Sequence, residues 1–138
     1  MRIITLTTDM GLNDYYVAVL KGSLLRLDAS VQIIDITHSV KPFDIVNASY
    51  YVGAAFHEFP EGTIHIIGVD SEPEINSSGG SMPAILKWKG HYFVGNDNGF
   101  FALLLKEQQP EGFWHLDNVL SNPNAFRFPV KNIFVPIA

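Results

Sequence analysis

The feature that most constrains this chain is a cadence set at its start, in the stretch Ile3 to Val17. The run Ile3-Ile4-Thr5-Leu6 reads as a buried strand, and the β-branched stretch ends in the carboxylate of Asp9. A turn at Gly11 follows, and then a helical pattern. This is how a strand feeds a helix in an α/β fold, where ligands sit beyond the carboxyl ends of the strands. Asp9 is therefore the first candidate site residue. The competing reading is that it caps the next helix or closes the turn.

The cadence recurs along the chain. From Asn13 to Leu27, Tyr16, Val19, Leu20, Leu24 and Leu27 fall at three- and four-residue spacing, which predicts a helix. Gly22 lies inside it, a cost unless another backbone packs close by. Val31–Ile36 is a second strand, followed by the polar pair Thr37-His38 and a loop through Pro42 and Phe43. Asp44 opens a second helical pattern through Ile45, Ala48, Tyr51, Val52, Ala55 and Phe56, which ends before Pro60. Thr63–Asp70 is a third strand, again ending in aspartate.

The second half reads differently. Ser71 to Pro83 is a polar loop of the kind that borders sites. Ala84–Trp88 and His91–Gly95 form a hairpin joined by Lys89-Gly90. The turn Asn96-Asp97-Asn98-Gly99 leads into a short helix, Phe100 to Leu105, and Phe113–Leu116 is a further strand. Ile133–Ile137 fits either a strand or the start of a helix. The early crossovers imply parallel pairing and the hairpin adds antiparallel strands, so the fold class is α/β, a layered and mostly parallel sheet flanked by helices.

Composition narrows the partners. The 138 residues fit one domain with a real core. Nine basic residues stand against fourteen acidic ones and are scattered, which leaves no footprint for nucleic acid. There is no cysteine, hence no thiolate nucleophile and no disulfide. The five histidines show no pair at ligand spacing, so no metal site is expected. No phosphate loop, dinucleotide fingerprint or serine nucleophile elbow is present. No stretch approaches the roughly 20 apolar residues that span a bilayer, and no signal-peptide pattern precedes the first strand, so the expected location is the cytoplasm.

If the strands are parallel neighbours, Asp9, Thr37-His38 and Asp70 line one edge of the sheet, the default ligand geometry of such folds. Each also has a local reading as a turn former, and for His38 a bond to nearby backbone is the simpler account. The amides and carboxylate of Asn96-Asp97-Asn98 equally suit a ligand or a bare turn.

In order, Thr8-Asp9-Met10-Gly11, Asp14-Tyr15-Tyr16-Val17, Lys21-Gly22, Asp35-Ile36-Thr37-His38, Phe59-Pro60-Glu61-Gly62-Thr63, Val69-Asp70 and Gly95-Asn96-Asp97-Asn98-Gly99 make a set that resembles the S-adenosylmethionine hydrolase family, the SAM hydroxide adenosyltransferases, relatives of fluorinase and chlorinase. The resemblance runs through essentially the whole chain. It implies that residues 1–138 are an N-terminal α/β domain, that a C-terminal β-barrel domain lies outside this chain, and that the protein assembles as a homotrimer. The abrupt apolar end at Asn132 to Ala138 fits that expectation. It also implies an adenosyl ligand, S-adenosylmethionine, taken as a substrate with no cofactor. Water displaces methionine at the ribose 5′ carbon and leaves adenosine. Carried over residue by residue, Asp9 matches the aspartate on the ribose hydroxyls, Phe43 an aromatic near the ligand, Asp70 the catalytic, water-handling aspartate, and Asn98 a turn beside the pocket.

Two departures stand out. The arginine expected seven residues after the aspartate is Ser77, and the late histidine is Pro129. Glu72 and Glu74 add negative charge that favours a sulfonium cation and disfavours a halide, so halogenation is the less expected chemistry. Activity is therefore left open. The expected function is S-adenosylmethionine hydrolysis, and the alternative is an adenosine- or S-adenosylmethionine-binding protein that has lost its triad. Loss of general-base help of about 10²–10⁴-fold need not abolish displacement of so good a leaving group.

Overall fold

A computed structural model describes residues 2–69 and 83–115. Strand β1 (Ile3–Thr8) passes through helix α1 (Tyr16–Leu27) to β2 (Gln32–Thr37), and β2 passes through α2 (Ile45–Ala55) and one 3-10 turn (Phe56–Glu58) to β3 (Ile64–Gly68). The hairpin strands β4 (Pro83–Trp88) and β5 (His91–Asn96), helix α3 (Phe100–Leu105) and β6 (Gly112–His115) complete the described elements. Their order is the one expected from the sequence. Residues 70–82 and the stretch Ile133–Ile137 lie outside the described residues.

The six strands form one sheet in the order β2-β1-β3-β5-β4-β6. Strands β1, β2, β3 and β5 run parallel, while β4 pairs antiparallel with both β5 and β6. The chain goes from β1 outward to β2, then returns across β1 to β3. Right-handed crossovers to opposite sides of one strand place the two helices on opposite faces. The packing agrees. Leu20 and Leu24 of α1 bury against Ile4, Leu6, Ile66 and Val94. Ala48 and Val52 of α2, with Phe100, Phe101 and Leu104 of α3, bury against Ile67, Leu86 and Phe93. A fully enclosed side chain such as Leu6 or Leu20 contributes about 1.5–3 kcal/mol. The reversal of strand order lies between β1 and β3, and the carboxyl ends of four parallel strands share one edge there.

The hairpin follows its turn chemistry. Trp88 pairs with His91, and Lys89 and Gly90 take φ of 50° and 80°, the left-handed pair of a two-residue turn that matches strand twist. A Cβ on Gly90 would also meet the Glu61 side chain at 2.8 Å. The helix faces shift slightly from expectation. Val17, Leu20 and Leu24 are the buried residues of α1, whereas Tyr16 and Leu27 are exposed. Tyr51 of α2 is also exposed, while Phe56 is buried. Gly22 is exposed with nothing near its Cβ position, so no close packing explains it.

Candidate functional site

The site candidates come from the loops that leave the parallel strands. Thr8 pairs with Gly68, and Thr7 with both Ile67 and Thr37, so β1, β2 and β3 end side by side. Asp9 follows β1, His38 follows β2, and Asn98 follows β5. Of the strand ends expected to converge, those of Asp9 and His38 do lie together, tied by Thr8 Oγ1 to His38 Nδ1 and by Gly11 N–H to His38 O. Asp70 lies outside the described residues; Val69, which precedes it, is buried just past β3.

Asp9 neither caps α1 nor closes its own turn. Tyr15, the N-cap of α1, makes no side-chain cap bond. The Asp9 carboxylate instead accepts the backbone N–H of Phe43 at 3.0 Å, from the loop between β2 and α2. Two sequence candidates are thereby joined across 34 positions. Phe43 has φ of 62°, a left-handed conformation that costs a residue with a Cβ about 1 kcal/mol or more and persists only where its surroundings impose it. The bond to Asp9 is one such constraint. The Asp44 N–H donated to Lys41 O at 2.9 Å is another. Phe43 is 69 % exposed, so the residue whose N–H holds the Asp9 carboxylate also offers an open apolar side chain. A carboxylate offers about four lone-pair sites, so one N–H leaves acceptor capacity for both hydroxyls of a cis-diol.

His38 departs from its simpler reading. Its ring is buried, and it bonds side chains rather than nearby backbone. Nδ1 lies 2.7 Å from Thr8 Oγ1, and Nε2 lies 2.7 Å from Asp35 Oδ1. Lys21 Nζ donates to the other Asp35 oxygen at 2.7 Å. Burial pushes the Asp35 carboxyl up, but the hydrogen bonds from Lys21 and His38 outweigh it and hold it below the usual carboxylate range. Sequence spacing gives no sign of these linked side chains. Asp35 and His38 stand three apart, which in a regular strand puts them on opposite faces. The β1–β2 register slips by one residue after Leu6, so that Leu6 faces Asp35 but Thr7 faces Thr37. Such bulges re-aim side chains, and this one brings Asp35 and His38 to one side.

The loops are also laced through backbone. Gly11 N–H donates to His38 O at 2.7 Å, and Val40 N–H to Thr8 O at 3.3 Å. Asn98 donates to Val69 O at 3.2 Å and accepts the Phe100 N–H at 3.1 Å, so it ties the start of α3 to the end of β3. Asp97 instead meets His115 Nε2 at 2.8 Å, on β6. Among the described residues no group of three or more metal-ligating side chains gathers, and no helix is long and apolar enough to cross a membrane.

Comparison with known proteins gives these loops a context. Residues 4–138 match the model of the SAM hydroxide adenosyltransferase N-terminal domain. The chain is 38% identical over 111 residues to the (R)-S-adenosyl-L-methionine hydrolase of Methanocaldococcus jannaschii, covering 78% of this chain and 41% of that protein. It is 30% identical over 147 residues to the protein of the same name from Thermus thermophilus, covering 100% and 56%. A crystal structure of an uncharacterized conserved protein from Thermotoga maritima superposes with a TM-score of 0.84 at 32% identity, over 97% of this chain and 51% of that one. The chain thus spans about half the length of the relatives it matches.

Proposed function

Because the chain belongs to the SAM hydroxide adenosyltransferase family, we infer that its protein binds the adenosyl group of S-adenosylmethionine at the carboxyl edge of the sheet and hydrolyses it to adenosine and methionine. The observation that carries this reading is the joined pair of Asp9 and Phe43, from the loops that follow β1 and β2. The Asp9 carboxylate is fixed by the backbone N–H of Phe43, an exposed aromatic residue, a pairing that suits a ribose diol and an apolar adenosyl surface. In this reading Asp9 accepts hydrogen bonds from the ribose hydroxyls and Phe43 covers the adenosyl group. Asn98 braces the end of β3 through Val69 O.

Asp70 is the catalytic residue of the reading. It takes a proton from the water that attacks the ribose 5′ carbon as the carbon–sulfur bond breaks and methionine leaves. The sequence supports the electrostatics, since Glu72 and Glu74 join Asp70 in favouring a sulfonium. The whole protein is, on this proposal, a homotrimer in the cytoplasm.

Incubation of the whole protein with S-adenosylmethionine, followed by chromatography, tests the reaction. Adenosine accumulates above the no-enzyme blank, and Asp70→Asn removes most of that rate while leaving adenosine affinity within about threefold. Binding without adenosine formation would mean that the replacements at Ser77 and Pro129 left only a binding protein. Light scattering of the whole protein gives the assembly state, three copies in this reading.

A further inference from the structure

The Lys21–Asp35–His38–Thr8 chain needs an account that neither core packing nor the proposed chemistry gives. Its ends differ in exposure. Lys21 and Asp35 are each 35% exposed, whereas His38 is 3% exposed and Thr8 is fully buried. An ionic pair at the surface is therefore connected through an imidazole to a hydroxyl that no solvent reaches. The direction of the bonds follows from the donor inventory. An ionised Asp35 only accepts, so His38 Nε2 donates to it. In the tautomer that carries its proton on Nε2, Nδ1 accepts the Thr8 hydroxyl proton. Thr8 Oγ1 in turn accepts the backbone N–H of Met10 at 3.3 Å. That N–H belongs to the peptide that follows Asp9. The chain thus ends on the backbone that aims the Asp9 carboxylate.

Three further contacts act on the same loop. Val40 N–H reaches Thr8 O, Gly11 N–H reaches His38 O, and Phe43 N–H reaches Asp9 itself. The bulge after Leu6 is what lets the chain form, by turning Asp35 and His38 to one side of β2. A fold that needed only a filled space behind Thr8 would be served by an apolar side chain. A fully bonded buried imidazole fixes orientation as well as volume.

We propose that Thr8 and His38 are positioning residues for Asp9, through which Asp35 and Lys21 set the aim of the carboxylate that faces the adenosyl ligand. This rests on the functional reading above for what Asp9 binds, but not for how Asp9 is held.

The test separates the two. Amide exchange of Phe43, whose N–H is donated to Asp9, reads the positioning with no ligand present. Thr8→Val keeps the shape and removes the hydroxyl; it speeds Phe43 exchange about tenfold while β5 amides keep their rates. Thr8→Ser restores the wild-type rate within about twofold. His38→Asn, which keeps an acceptor for Thr8 but loses Asp35, gives an intermediate rate and serves as the second variant should Thr8→Val fail to fold. An unchanged Phe43 rate in the folded Thr8→Val or His38→Asn protein overturns the proposal, as does a rise shared equally by β5. Adenosine titration of the whole protein then reads the function. Thr8→Val weakens binding about tenfold in the wild-type background and not at all in Asp9→Ala. An equal loss in both backgrounds contradicts action through Asp9. If wild-type protein binds neither adenosine nor S-adenosylmethionine, the functional reading fails while the exchange result still decides the positioning.

Discussion

Strand β1 carries two threonine–histidine pairs, and the contrast between them is instructive. Thr8 Oγ1 lies 2.7 Å from His38 Nδ1, and Thr5 Oγ1 lies 2.6 Å from His65 Nδ1. Both threonines and both rings are buried. The difference is what each ring meets on its far side. His38 Nε2 reaches the Asp35 carboxylate, which Lys21 ties to the surface. His65 Nε2 reaches a second imidazole, His91 Nδ1, at 3.1 Å. His65 also stacks on Phe93 with ring centres 4.9 Å apart and packs edge-on to Phe56 at 6.2 Å. One pair is anchored by charge at the edge where the site candidates meet. The other is enclosed by aromatic rings, where burial and the neighbouring His91 push the His65 ring down to about 3. The same local pairing is thus a device for aiming a loop in one place and a piece of core in the other. Its surroundings decide which.

The contrast can be broken experimentally, and the largest expected effect is on the enclosed pair. His65→Ala opens a cavity and leaves Thr5 and His91 without their partner. Urea denaturation will show a loss of about 3 kcal/mol, while the protein that remains folded binds adenosine as before. A loss of affinity at constant stability would show that the two pairs are not separate.

Acid comes next, with a sign that follows from linkage. The folded His65 binds its proton about 3, below the ordinary value of 6.5, so the unfolded chain takes up the proton first. Its contribution is complete above pH 6.5 and is lost as pH falls from 6.5 toward 3. Denaturation at pH 5 will show about 2 kcal/mol less stability than at pH 7. His91 is also lowered, by burial first and then by His57, and adds in the same direction. Asp35 is lowered from 3.8 and loses its contribution only below that range. A pH 5 loss that survives His65→Ala would place the acid sensitivity elsewhere.

Smaller effects belong to the edge pair. His38→Leu will cost about 1 kcal/mol of stability and about tenfold in adenosine affinity, a ratio opposite in kind to that of His65→Ala. Lys21→Met will change stability by less than about 0.5 kcal/mol, since an exposed ion pair contributes little. A large effect there would mean that the surface end of the chain carries more of the structure than its exposure implies.

Much of this arrangement was legible in the sequence. Alternating β-branched runs and helical spacing revealed the element order, and Lys89-Gly90 revealed the hairpin, because these signals are local. Polar residues at the strand ends mark one edge of the sheet whatever the strand order. The rest depended on contacts across the sheet. The order β2-β1-β3-β5-β4-β6 is set by which faces the helices cover, and periodicity does not encode that. The one-residue slip after Leu6 hid the Asp35–His38 contact, since period-two reasoning sends those side chains apart. His65 reads as an ordinary strand histidine; its partner His91 is 26 residues away and meets it only through the β3–β5 pairing. The sequence leaves Asp9 open between a site residue and a turn or cap; its bond to the Phe43 N–H, 34 residues on, is a contact that local pattern does not encode.

In the proposed function the Asp9 carboxylate, fixed at the sheet edge by the Phe43 N–H, holds the ribose diol of an adenosyl ligand. Calorimetric titration of the whole protein with adenosine and with 2′,3′-dideoxyadenosine, in wild type and Asp9→Ala, tests it most directly. Hydrogen bonds to a charged acceptor lead to at least a roughly tenfold loss on removing either the diol or the carboxylate, and little further loss on removing both. Equal affinity of Asp9→Ala and wild type for adenosine, or equal affinity of wild type for the two nucleosides, would contradict it.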